Sequence, residues 1–195
     1  MPEIVDLSPA ARQMVAVLRG IDNDQLTART PCEPSTIGDL VDHVDGLAQA
    51  FAAAAAKQTG AVTASPPAPD ASRLGTDWRT RIPPRLDALA AAWTDPDAWQ
   101  GMTEVGGVTL PGGIAGQVAL NELVLHGWDI ARASGQEYDI DPDTLHASWE
   151  AVSAMYPAHE PERRRGIFGP PVSVPDGAPL FHRLLGLSGR DPAWA

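Results

Sequence analysis

Glu122, His126 and Asp129 stand at positions i, i+4 and i+7 of an otherwise apolar segment. At 100° per residue on a helix, the three side chains fall within about 60° of arc. They share that face with Ala115, Val118 and Ala133, which makes it inward and narrow. A carboxylate and an imidazole buried there without partners would each carry a large desolvation cost. His43, one turn after Asp39 in a second well-patterned segment, supplies a partner. If the two segments are neighbouring helices, His43, Glu122 and His126 converge as two imidazoles and one carboxylate. That donor set suits Zn²⁺ or another divalent first-row ion. Three protein ligands leave one coordination position open, the arrangement of a catalytic centre. Asp39 or Asp129 is then expected to orient an imidazole from outside the ligand set, or to handle a proton as the catalytic acid or base.

Each of these residues also has a plainer reading. A Glu–His pair at i, i+4 occurs as a weak solvated pair on helix surfaces, and His43 alone reads as a hydrogen-bonded core histidine. The coincidence favours the metal: both histidines lie in the two best-patterned segments, and Glu122 sits on a face too apolar to solvate it. Cys32 could be activated by a helix N-terminus or a cation, but reads more simply as a small buried apolar residue. Arg163-Arg164-Arg165 reads as a solvated patch rather than an anion clamp. His146, His159 and His182 read as surface or boundary residues, and Trp128, beside Asp129, as a pocket wall. Gly-rich phosphate loops, nucleophile elbows and dinucleotide fingerprints are absent from the sequence.

The elements that must position these residues follow from periodicity. It predicts a helix over Ser8–Arg19, then one of about twenty residues entered at Thr36 with Asp39 as its capping-box partner. A third carries Trp78, Ile82, Leu86, Leu89 and Trp93, with a kink or restart at Pro83-Pro84. The central helix runs from Ile114 to Ser134 and stops at Gly135; a fifth runs from Pro142 to Tyr156, and a short last one from Leu180 to Leu187. Val105-Gly106-Gly107-Val108 predicts a two-residue hairpin turn. Thr59 to Gly75 reads as a surface loop or flexible crossing. The expected fold is all-α: an up-down four-helix bundle with a small β-hairpin, an additional helix and an extended C-terminal tail, in one domain over 1–195.

Composition sets the outer bounds. The 195 residues carry a net charge of −11, which argues against nucleic acid or an anionic membrane as partner. One cysteine excludes an intramolecular disulfide and a multi-thiolate zinc knuckle. Neither a secretory leader nor a membrane-length apolar run is apparent. A soluble cytoplasmic protein, monomer or homodimer, is expected.

Two strings carry a resemblance. Thr30-Pro31-Cys32 with Thr36-Ile37-Gly38-Asp39-Leu40-Val41-Asp42-His43-Val44, and Leu123-Val124-Leu125-His126-Gly127-Trp128-Asp129-Ile130-Ala131, resemble the two helical signatures of the DinB / mycothiol-dependent maleylpyruvate isomerase-like superfamily. Phe168-Gly169-Pro170-Pro171-Val172 and Gly189-Arg190-Asp191-Pro192 resemble the tail of a short actinobacterial branch. The resemblance implies a four-helix bundle holding zinc, or nickel, through His43, Glu122 and His126. It also implies a low-molecular-weight thiol, mycothiol or bacillithiol, as cosubstrate. Ser35 stands where relatives commonly carry Trp, which implies a differently shaped pocket mouth. The separate C-terminal domain of the full-length isomerase has no counterpart, which turns the expectation away from maleylpyruvate as substrate. The expected activity is metal-dependent thiol S-transfer, or thiol-assisted isomerisation, on a small electrophile. The alternatives are a metal-assisted hydrolase or lyase without thiol, and a non-catalytic metal- or small-molecule-binding protein.

Overall fold

The computed structural model describes residues 4–195. A Ser-Pro start opens α1 (Ser8–Arg19), with proline in the first turn where its missing N–H leaves no bond unmade. Thr36 caps α2 (Ile37–Ala55): its Oγ1 accepts from the Asp39 N–H, and Asp39 Oδ2 accepts from the Thr36 N–H. The third helix, α3 (Trp78–Ala92), continues across Pro83 and Pro84 without restarting. Both prolines stand in its second turn, inside the helix, and Ile82, Leu86 and Leu89 on either side of them are buried in one core that holds it together.

The antiparallel hairpin β1 (Met102–Val105) and β2 (Val108–Pro111) turns at Gly106-Gly107. Their φ values of 62° and 74° are the left-handed ones a two-residue turn of this hand needs. The longest helix, α4 (Gly112–Ala133), follows directly. Beyond it lie α5 (Pro142–Met155), the single turn α6 (Pro161–Arg164) and α7 (Leu180–Leu187).

Helices α1 and α2 each pack against both α3 and α4, so the bundle reads α1, α3, α2, α4 around its circumference. The consecutive pairs α1–α2 and α3–α4 therefore face each other across diagonals. The long connectors over 20–36 and 93–111 have the reach to cross. Met14, Ile37, Leu40, Ile82, Leu86, Leu120 and Ile130 fill the centre. Helix α5 packs on the outside of α4, and α7 on α5, which lays the C-terminal region against the helix carrying Glu122 and His126.

Two expectations are corrected. Of the two readings of Thr59 to Gly75, the surface loop holds and the flexible crossing does not, because the second half is stapled to α2 by the hydrogen bonds described below. The arginine run is not wholly solvated. Arg164 is buried, its two Nη atoms donating to the carbonyls of Tyr156, Gly169 and Leu187, while Nε is left without a partner. Among the described residues no helix is long and apolar enough to cross a membrane.

Candidate metal centre

Because α2 and α4 are neighbours, His43 in the second turn of α2 meets Glu122 and His126 in the middle of α4. Glu122 Oε2 lies 3.0 Å from His126 Nε2 and 3.7 Å from His43 Nε2. The two imidazole rings stand edge to face with centroids 5.2 Å apart. One donor atom from each residue falls within 4.8 Å of the others. Two nitrogen or oxygen ligands on a tetrahedral ion, with bonds of about 2.1 Å, are separated by roughly 3.4 Å. The three donors thus fit a divalent ion in both chemistry and spacing.

The far side of each imidazole is fixed. His126 Nδ1 donates to Asp129 Oδ2 at 3.0 Å. Asp129 has no exposed surface and is gripped by Arg190, with Nε 2.9 Å from Oδ1 and Nη2 2.7 Å from Oδ2. Burial pushes the Asp129 carboxyl up, but the Arg190 charge and the His126 hydrogen bond outweigh it and hold it below the usual range. Burial pushes His126 down, and Asp129, Cys32 and Glu122 together more than reverse that. Burial likewise raises the Glu122 carboxyl, yet hydrogen bonds with His126 and then His43 leave it well below the ordinary carboxylate range.

His43 Nδ1 donates to the Pro67 carbonyl, which fixes the ring with Nε2 turned toward Glu122. The Pro67 segment is held by a face of α2 built from Asp39, Asp42, His43 and Gly46. Asp39 Oδ1 accepts from the Ala71 N–H at 2.8 Å, and Asp42 Oδ2 from the Asp70 N–H at 3.2 Å and Arg73 Nη2 at 2.6 Å. Gly46 lies beneath the proline ring, where a Cβ would come within 2.5 Å of Pro67 Cβ.

These contacts place the two aspartates singled out in the sequence. Asp39 neither orients an imidazole nor reaches the donors, because its oxygens are bound to Thr36 and Ala71. Asp129 lies behind His126, hydrogen-bonded to its Nδ1, and is not among the residues that line the cavity.

A cavity of about 480 Å³ opens beside Glu122 and His126. Cys32, at the tip of the loop before α2, lines it, with Sγ within 4.8 Å of donor atoms of His126 and Asp129. The opposite wall comes from beyond α5: Tyr156, Phe168, Val172, Arg190 and Trp194. Burial and then the Glu122 charge push the Tyr156 phenol up, which keeps it neutral. Trp128 is buried in the core and Trp194 takes the wall position instead. His146, His159 and His182 are exposed, as expected. Sequence reasoning assigned no role to Tyr156 or Arg190. The Gly-Arg-Asp-Pro string at 189–192 was the available signal for Arg190, with a buried carboxylate on α4 still lacking a cation.

The family model described as the mycothiol maleylpyruvate isomerase N-terminal domain matches residues 7–131. The chain belongs to this family. The matched region contains α1, α2, α3 and all but the last two residues of α4, with His43, Glu122, His126 and Cys32. Two uncharacterised proteins of Mycobacterium tuberculosis, from strains CDC 1551 and H37Rv, are each 33% identical to this family member over 144 residues, 72% of this chain and 71% of theirs. The crystal structure of the mycothiol-dependent maleylpyruvate isomerase is similar in fold, with a TM-score of 0.58 and 22% identity over 76% of this chain and 68% of that one. A histidine-to-alanine mutant of that enzyme matches over the same shares with a TM-score of 0.54 and 20% identity.

Proposed function

We propose that the protein is a metal-dependent thiol transferase or thiol-assisted isomerase using mycothiol, or a thiol like it, on a small electrophile. The observation that carries this reading is the convergence of His43, Glu122 and His126 at the edge of an open cavity. These three residues would hold the ion, zinc or nickel. Such an ion supplies a Lewis-acidic position at which a thiol is held as thiolate near neutral pH. Asp129 and the Pro67 carbonyl keep the two imidazoles turned toward that position. The thiol sulfur attacks an electrophilic carbon and either stays attached, a transfer, or leaves after bond rotation, an isomerisation. The family match and the mycothiol dependence of the structurally similar isomerase support the thiol; the cavity supports a small second substrate.

The test is a calorimetric titration of mycothiol into zinc-reconstituted protein, followed by a thiol-consumption assay with activated alkenes. Saturable binding and protein-dependent consumption are expected. No binding heat and no consumption with any alkene would remove the thiol from the reading.

The strap over α2 gives a second expected result. Gly46→Ala places a methyl against Pro67 and pushes its carbonyl away from His43 Nδ1. Zinc affinity measured by chelator competition should fall on the order of ten- to a hundredfold. Thermal stability should hold, since alanine in a helix interior favours folding by about 0.5–1 kcal/mol over glycine. Unchanged affinity would show that the strap does not position His43.

A further inference from the structure

We infer that the cavity selects an uncharged, carbonyl-bearing electrophile with an apolar body, and not a dicarboxylate. The inference rests on the thiol reading above for its chemistry, but its geometry is independent of the thiol. The wall opposite the donors is made by Tyr156, Phe168, Val172 and Trp194, with the Tyr156 and Phe168 rings edge to face at 5.1 Å. Such a surface rewards apolar and aromatic matter.

Charge points the same way. The carboxylates on the lining are Glu33, Glu122 and Asp191, against one guanidinium, Arg190. Arg190 is already committed: Nε and Nη2 go to Asp129, and Nη1 goes to the Ser188 carbonyl. Glu122 belongs to the donor set and Glu33 is exposed and paired with Arg29 at 3.3 Å, so an incoming carboxylate meets Asp191 as the remaining like charge, loses water and finds no uncommitted arginine or lysine on the lining.

What the lining does offer is neutral. Among the described residues the Tyr156 hydroxyl makes no hydrogen bond within the protein. Asn121 is 5% exposed; its Oδ1 accepts from Ser148 Oγ while its Nδ2 has no partner. That Nδ2 is shut off from the cavity, so the Tyr156 hydroxyl is the uncharged donor open to a ligand, and one such donor on a mostly apolar wall suits a carbonyl oxygen.

A double bond conjugated to a carbonyl uses both features. The thiol sulfur forms a C–S bond to the β-carbon, and the π pair moves onto the carbonyl oxygen, toward the Tyr156 hydroxyl. Return of that pair after rotation expels the sulfur and leaves the isomerised alkene, with no net proton transfer. Delivery of the proton lost by the thiol to the α-carbon instead leaves the thioether.

Dimethyl maleate and maleate share one alkene and differ in charge, so they form the test pair. On zinc-loaded protein, calorimetry should give at least about tenfold tighter binding for the diester, the equivalent of one hydrogen bond and an avoided desolvation. Tyr156→Phe should weaken the diester by roughly tenfold, and Val172→Arg should raise maleate affinity by supplying the missing cation. Equal or tighter binding of maleate to the native protein, or no binding of either, overturns the inference. With mycothiol present, native protein should convert the diester to dimethyl fumarate or to its thioether. Selective diester binding without thiol consumption upholds the selectivity and overturns the thiol reading alone.

Discussion

His126→Ala protein is expected to hold no zinc, where the native protein, purified without a His-tag or chelator, holds about one equivalent. The substitution removes one of three donors and takes from Glu122 its partner at 3.0 Å. A His–carboxylate pair remains, which is too few ligands for a tetrahedral site to compete with solvent. Inductively coupled plasma mass spectrometry on both proteins reads the result directly. Circular dichroism keeps loss of metal distinct from loss of fold. His43→Ala should behave alike, because its donor comes from the other helix. Native protein without metal, even after reconstitution, would leave His43, Glu122 and His126 as a hydrogen-bonded cluster. The proposed chemistry would then have nothing to drive it.

Arg190→Ala is expected to cost about 3–5 kcal/mol of folding free energy in chelator-treated protein, because it strands a buried carboxylate. Asp129 has no exposed surface, and two hydrogen bonds from Arg190 are what offset its loss of water. The hydrogen bond from His126 remains, but one imidazole N–H does not replace a bidentate guanidinium. Urea unfolding monitored by tryptophan fluorescence measures the change. Asp129→Asn combined with Arg190→Met should recover much of the loss, since no unpaired charge then stays inside. If the single variant is as stable as the native protein, the pair does not hold the tail to α4.

The convergence of the candidate donors was legible in the sequence because they break a rule: Glu122 and His126 put polar groups on a face whose spacing belongs to a core. The cap at Thr36 and Asp39, the Gly106-Gly107 turn and the bounds of α1 and α7 were legible because each depends on residues close in sequence. The neighbours around the bundle were not, since connectors long enough to cross a diagonal leave the ring order open. Asp39 illustrates the limit. Its spacing placed it one turn from His43, but the groups that claim its oxygens include the Ala71 N–H, 32 residues away. Arg164 illustrates it again. Nothing in Arg163-Arg164-Arg165 distinguishes the middle residue, and its burial is decided by carbonyls at 156, 169 and 187.

The cavity has two origins within one chain. Its reactive side, with Cys32, Glu122 and His126, lies in the stretch that matches the family, whereas most of the facing wall lies after residue 155. The tail is tied across that gap by Arg190 on Asp129, and internally by Arg164, which joins the end of α5 to Gly169 and Leu187. Under the proposed function, substrate recognition could therefore be rewritten in the tail while His43, Glu122 and His126 stay untouched. The same division makes the tail the natural place to graft a new substrate preference, provided the two arginine anchors are kept.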